Sequence, residues 1–125
     1  MQLRRHLARP LFWAATLFAY VAAILPQSEA PKISASDKVE HMLAFFTISV
    51  LVRIGYPAAS VRTAWLLLAG FGALIEFTQM IPALHRDAQL SDWIADVTAL
   101  TIGFLIVAAG ERLVAQRRDA SQPGA

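Results

Sequence analysis

The chain has 125 residues, the length of one domain, and is 57% hydrophobic and 16% charged, a balance too apolar for an average soluble domain. The absence of cysteine excludes a disulfide framework, a thiolate metal site and a cysteine nucleophile. The net charge of +2 comes from arginines that flank apolar runs and form no aromatic-studded basic face, which argues against a nucleic-acid partner.

Four apolar runs, each near the ~20 residues that cross a ~30 Å hydrocarbon core, are separated by prolines and charges. The first expected span covers residues 10–25, with Pro10 at the helix start, Pro26 closing it, and Arg4, Arg5 and Arg9 ahead of it. The second follows Ser36, a candidate N-cap, and runs over 37–54 to a stop at Gly55 and Pro57. A third covers 61–81 before Pro82, and a fourth covers 91–109 before Gly110. Runs this long and rich in Ala and Leu do not read as strands, and an unclosed sheet leaves its backbone unsatisfied in lipid. The predicted fold is therefore all-α: an integral membrane bundle of four transmembrane helices over residues 1–115, followed by a disordered cytoplasmic tail over 116–125. An Arg-rich start before an apolar run also describes a signal peptide, with Ser28-Glu29-Ala30 as a small-x-small site. The length of the run and Pro31 directly after that site argue for a retained span.

Charge asymmetry sets the expected orientation. With the N-terminus inside, the inner segments hold 8 of the 11 basic residues, and the outer loops hold only Lys32, Lys38 and Arg86. On or near the outer side lie 7 of the 9 acidic residues, leaving Glu111 and Asp119 inside. Both termini are thus expected in the cytoplasm.

Ionisable groups inside spans cost about 2.5–3.5 kcal/mol at the centre for Asp, so each requires a partner, a wet cavity or a task. His41 lies five residues in from Ser36, Glu76 five before Ile81, and Asp96 five in from Ser91. At 1.5 Å per residue all three sit roughly 7–8 Å below the outer boundary. The spacings Asp37/His41, Glu76/Gln79 and Asp92/Asp96 put each pair on one side of its helix. Small residues continue the third and fourth stripes: Ala69, Gly72 and Ala73, then Ala99 and Gly103. They favour close helix approach, so the stripes are expected to face the bundle and form an outward-opening polar pocket. Interhelical hydrogen bonding and first-turn placement of Asp37 and Asp92 give the same residues a purely structural reading. Arg86, in the loop between the third and fourth spans, is expected to clamp Glu76 or Asp92, or to meet a lipid phosphate, with Lys38 as a second outer cation. Trp13, Trp65 and Trp93 read as interfacial anchors.

The assembled residues resemble the VanZ-like family of small bacterial membrane proteins. The likeness rests on Asp37-Lys38-x-x-His41 opening the second span, Glu76-x-x-Gln79 ending the third, Arg86 after it, and Asp92-x-x-x-Asp96 with Gly103 on the fourth. It covers about residues 36–104. Two positions depart from the family pattern, which usually has Asn at Asp96 and Gly at Ala99, so a neutral position here is an acid. The resemblance implies a bacterial inner-membrane protein, and the family takes its name from a member associated with resistance to the glycopeptide teicoplanin.

Three functions compete. In the first, Asp37, Lys38, His41, Glu76, Gln79, Arg86, Asp92 and Asp96 bind a polar or anionic group of a membrane lipid or a lipid-linked cell-wall precursor. In the second, a membrane-embedded hydrolase or transferase uses His41 and the carboxylates for acid–base work or to hold a divalent metal. No nucleophile motif and no zinc signature such as H-E-x-x-H occurs, so no catalytic residue, metal or cofactor is assigned. Proton-coupled transport is the third, disfavoured because only Thr47, Ser49 and Thr101 carry polarity into the inner half. The sequence sets no oligomeric state.

Overall fold

Ala- and Leu-rich runs with their polar residues on one side satisfy their backbone most cheaply as helices, and all regular structure among the described residues is helical. The computed structural model describes residues 2–33, 36–122 and 124. Met1, Ser34, Ala35, Pro123 and Ala125 lie outside them, the last two within the predicted tail. The elements are α1 (Gln2–Ile24), α2 (Asp37–Gly55), α3 (Val61–Gln79), a single 3-10 turn (Pro82–Leu84) and α4 (Leu90–Ser121).

Helices α1, α3 and α4 are long and apolar enough to cross a membrane. Helix α2 carries Asp37, Lys38, Glu40 and His41 in its first turns. It packs along both α1 and α4, while α3 lies along α4 and touches α1 more lightly. This inner position buries Phe45, Ile48, Ser49 and Val52 of α2 against a core that includes Ile75, Leu100 and Phe104. The outer surfaces are apolar instead of charged: Leu67 and Phe77 are 70% and 69% exposed. Such faces suit acyl chains.

Two close approaches fix the packing. A Cβ on Gly103 of α4 would overlap Ser49 Oγ of α2 and lie 3.0 Å from Ser49 Cβ, so glycine lets the helices cross this closely. At the other side of α2, a Cβ on Gly55 would lie 3.2 Å from Arg9 Cγ of α1. Arg9 donates from Nε to the Gly55 carbonyl at 2.9 Å, and its guanidinium lies 5.0 Å from the Tyr56 ring centroid. A cation thus meets the carbonyl end of α2, where the helix dipole is negative.

The helix limits differ from the sequence expectation at both ends of the chain. Helix α1 begins at Gln2, with Pro10 inside it rather than at its start. The turns before Pro10 are held by contacts: Ala8 is buried and Arg9 docks on Gly55. Helix α4 continues past Gly110, so residues 116–121 are helical and not a disordered tail. Glu111, Arg112, Leu113, Ala115 and Gln116 are strong helix formers, and a single glycine inside a helix costs only about 1 kcal/mol. At 1.5 Å per residue, α4 is roughly 48 Å long, more than a ~30 Å hydrocarbon core requires.

Candidate functional site

The connections from α1 to α2 and from α3 to α4 meet at one end of the bundle, and the predicted polar residues gather beneath them. Ser36 caps α2 by accepting from Val39 N, as its sequence position suggested. One turn further on, His41 Nδ1 stands 3.2 Å from Asp96 Oδ1 of α4, the geometry of an imidazole N–H donating to a carboxylate. Asp96 is fully buried and the His41 side chain is 15% exposed. From α3, Glu76 reaches the same place, and its Oε2 accepts from Gln89 N at 3.1 Å. One ligand-type atom from each of His41, Glu76 and Asp96 lies within 4.8 Å of the other two. Each comes from a different helix. Two oxygens of this cluster, Glu76 Oε1 and Asp96 Oδ2, are enclosed and lack a hydrogen-bond partner among the described residues.

Glycine makes room for this junction. A Cβ on Gly72, one turn before Glu76, would sit 3.3 Å from Asp96 Oδ2, Phe45 Cζ and Trp93 Cδ1 alike. Trp93 donates from Nε1 to the Ala69 carbonyl at 2.9 Å, so this indole ties α4 to α3. The other two indoles also have protein partners: Trp13 donates to the Tyr56 hydroxyl and Trp65 to Thr101 Oγ1.

The remaining predicted site residues divide between the pocket rim and the structure. Asp37 accepts from Gln27 Nε2 at 2.7 Å. Lys38 Nζ lies 3.7 Å from Asp92 Oδ1 and donates to Ser91 Oγ at 3.2 Å, joining the starts of α2 and α4. Gln79, expected beside Glu76 in the pocket chemistry, is buried and donates to the Ala23 carbonyl at 3.0 Å. Arg86 does not clamp Glu76 or Asp92. Its guanidinium donates to the carbonyls of Leu25 at 2.6 Å and Ala22 at 2.8 Å. These carbonyls lie at the C-terminal end of α1, where backbone acceptors lack intrahelical partners and the helix dipole favours a cation. His85, with φ of 50°, precedes Arg86 in this loop.

Two cavities adjoin the cluster. A polar one of about 230 Å³ is lined by Gln27, Ser36, Asp37, Lys38, His41, Gln79, Arg86, Asp87, Gln89 and Asp92. The second, about 270 Å³, is a largely apolar groove between α1 and α2, walled by Ala15, Phe18, Ala19, Ala22, Leu43 and Ala44. Asp37, His41 and Arg86 border both. Gln27, Gln89 and the α1 wall were not singled out from sequence. Gln27 and Gln89 lie in loops, and the α1 wall is made of residues indistinguishable from ordinary packing alanines.

Fold and site together define an all-α protein with membrane-length helices and a mixed imidazole–carboxylate cluster at one end of its bundle. No family model, curated protein or solved structure matches the chain.

Proposed function

We propose that the chain is a VanZ-like protein of the bacterial inner membrane that binds an amphiphilic envelope lipid or lipid-linked cell-wall precursor. In this reading α2 is the fourth span, both termini are cytoplasmic, and the polar cavity opens outward. The observation that carries the proposal is the junction of a groove lined by small apolar side chains with a polar cavity through shared residues Asp37, His41 and Arg86. A hydrocarbon chain fits the first environment and a polar or phosphate head group the second. Arg86 and Lys38 supply positive charge at that end, consistent with an anionic head. The excess of arginine around the opposite end supports the orientation.

Native mass spectrometry of the gently extracted full chain tests the proposal. Wild-type protein is expected to retain a defined lipid or precursor, and Ala19→Leu with Ala44→Leu, which fills the groove, is expected to shed it while remaining folded. Retention of the same species by the filled variant would refute the groove. Glycopeptide sensitivity of cells expressing the two forms then reads whether the bound species bears on teicoplanin resistance.

A second reading, a hydrolase or transferase acting on such a lipid, is favoured by the His41–Asp96 pair, the arrangement in which a carboxylate orients a general base. Turnover of labelled envelope lipids by the purified protein distinguishes it from binding alone.

A further inference from the structure

We propose that His41, Glu76 and Asp96 form a binding site for one divalent transition-metal ion. This inference stands on the cluster alone and is independent of what occupies the groove. Three helices deliver one nitrogen and two carboxylate donors to a space within which the ligand atoms lie no more than 4.8 Å apart.

The spacing is that of a coordination sphere. With metal–ligand bonds of about 2.1 Å, neighbouring donors stand about 3.0 Å apart in an octahedral site and about 3.4 Å in a tetrahedral one. His41 Nδ1 and Asp96 Oδ1, at 3.2 Å, fall between those values. The third donor, from Glu76, lies within 4.8 Å of both.

A plain hydrogen bond between His41 and Asp96 explains only part of the arrangement. It leaves Asp96 Oδ2 and Glu76 Oε1 enclosed without a partner, and Asp96 is 0% exposed. A buried water can donate to both carboxylates but removes no charge, a protonated His41 offsets only one of two ionised carboxylates, and an uncompensated buried ion costs several kcal/mol. A dication with two carboxylates and a neutral imidazole sums to zero charge.

The donor set narrows the class of ion. Imidazole disfavours Mg²⁺ and Ca²⁺, and the lack of sulfur disfavours soft ions, which points to a first-row divalent ion; among Mn²⁺, Fe²⁺ and Zn²⁺ the general affinity order puts Zn²⁺ tightest. Surrounding groups already orient the ligands. The Gln89 amide holds Glu76 Oε2 and leaves Oε1 inward, and the missing Cβ at Gly72 gives Asp96 its space. Three protein ligands leave further coordination positions for water or a ligand, and His41 borders both cavities, which gives an ion a route in.

The test uses the full chain in detergent, with a histidine-free tag, stripped by chelator and titrated with Zn²⁺ against a chromophoric competitor. The chain has three histidines, so the His6→Gln/His85→Asn protein isolates His41 as the sole imidazole. One Zn²⁺ per chain is expected in wild type and in that double variant, competed by Mn²⁺ at higher concentration. His41→Ala and Glu76→Gln are expected to weaken binding by more than about 100-fold, since outer-shell changes alone cost 10–100-fold. Absence of stoichiometric binding in wild type, or equal binding by folded His41→Ala, overturns the site. Should those variants not fold, X-ray absorption on the His6→Gln/His85→Asn protein decides. One imidazole nitrogen with oxygens at about 2.0–2.2 Å supports the site, and an all-oxygen sphere refutes it.

Discussion

Replacing Gly103 by alanine probes the α2–α4 crossing. The new methyl group would overlap Ser49 Oγ, lie 3.0 Å from Ser49 Cβ and lie 3.3 Å from the Phe46 carbonyl oxygen. Turning the Ser49 hydroxyl away breaks its 2.6 Å bond to Phe46 O and still leaves the two Cβ atoms a few tenths of an ångström too close. The helices must therefore separate, at a cost of about 1–3 kcal/mol for overpacking a tight interface. Unfolding of the protein in detergent, followed by tryptophan fluorescence, measures the loss. Ser49→Gly removes both offending atoms, so adding it to Gly103→Ala should recover about 1 kcal/mol or more as coupling in a double-mutant cycle. A Gly103→Ala protein as stable as wild type, or strictly additive substitutions, would show that the helices do not cross there.

Other substitutions separate structural ties from the pocket. Gln79→Leu leaves the buried Ala23 carbonyl without its side-chain donor and should lower stability by about 1–3 kcal/mol in the same unfolding assay. Arg9→Ala should cost about 1–2 kcal/mol through loss of the Gly55 bond and the stacking on Tyr56, and Arg9→Lys should recover only part of it. Lys38→Ala removes a half-exposed ion pair with Asp92, 3.7 Å long, and should change stability by less than about 1 kcal/mol, read from the same curves.

Much of the site was legible because helical period and depth follow from residue spacing. His41, Glu76 and Asp96 could be placed at one level and on facing sides from counting alone, and the structure brings them together. The stripe of small residues was equally readable, since Ala69, Gly72 and Ala73, and likewise Ala99 and Gly103, recur at helical spacing. The partners that Arg86 and Gln79 take were hidden for one physical cause. Their partners are backbone carbonyls at the end of α1, and every residue carries a carbonyl, so the sequence holds no mark of which one is used. The extension of α1 before Pro10 was hidden for a related reason, because the docking of Arg9 on Gly55 is a tertiary contact. At the other end, Gly110 and the charged residues beyond it imitate a helix stop, yet propensity carries α4 to Ser121. The groove was invisible, since nothing in Ala15, Ala19 or Ala44 distinguishes an alanine that lines a cavity from one that closes a helix contact.

Sided labelling of single cysteines tests the four-span arrangement most directly, because the natural chain contains no cysteine to mask the result. Ser28→Cys and Ala83→Cys occupy exposed positions in the two connections over the polar cavity, and Ala58→Cys lies exposed between α2 and α3. A membrane-impermeant maleimide applied to intact spheroplasts should modify the first two and reach the third only after lysis. Modification of Ala58→Cys from outside, or protection of either Ser28→Cys or Ala83→Cys, would contradict an outward-facing pocket with α2 crossing the membrane.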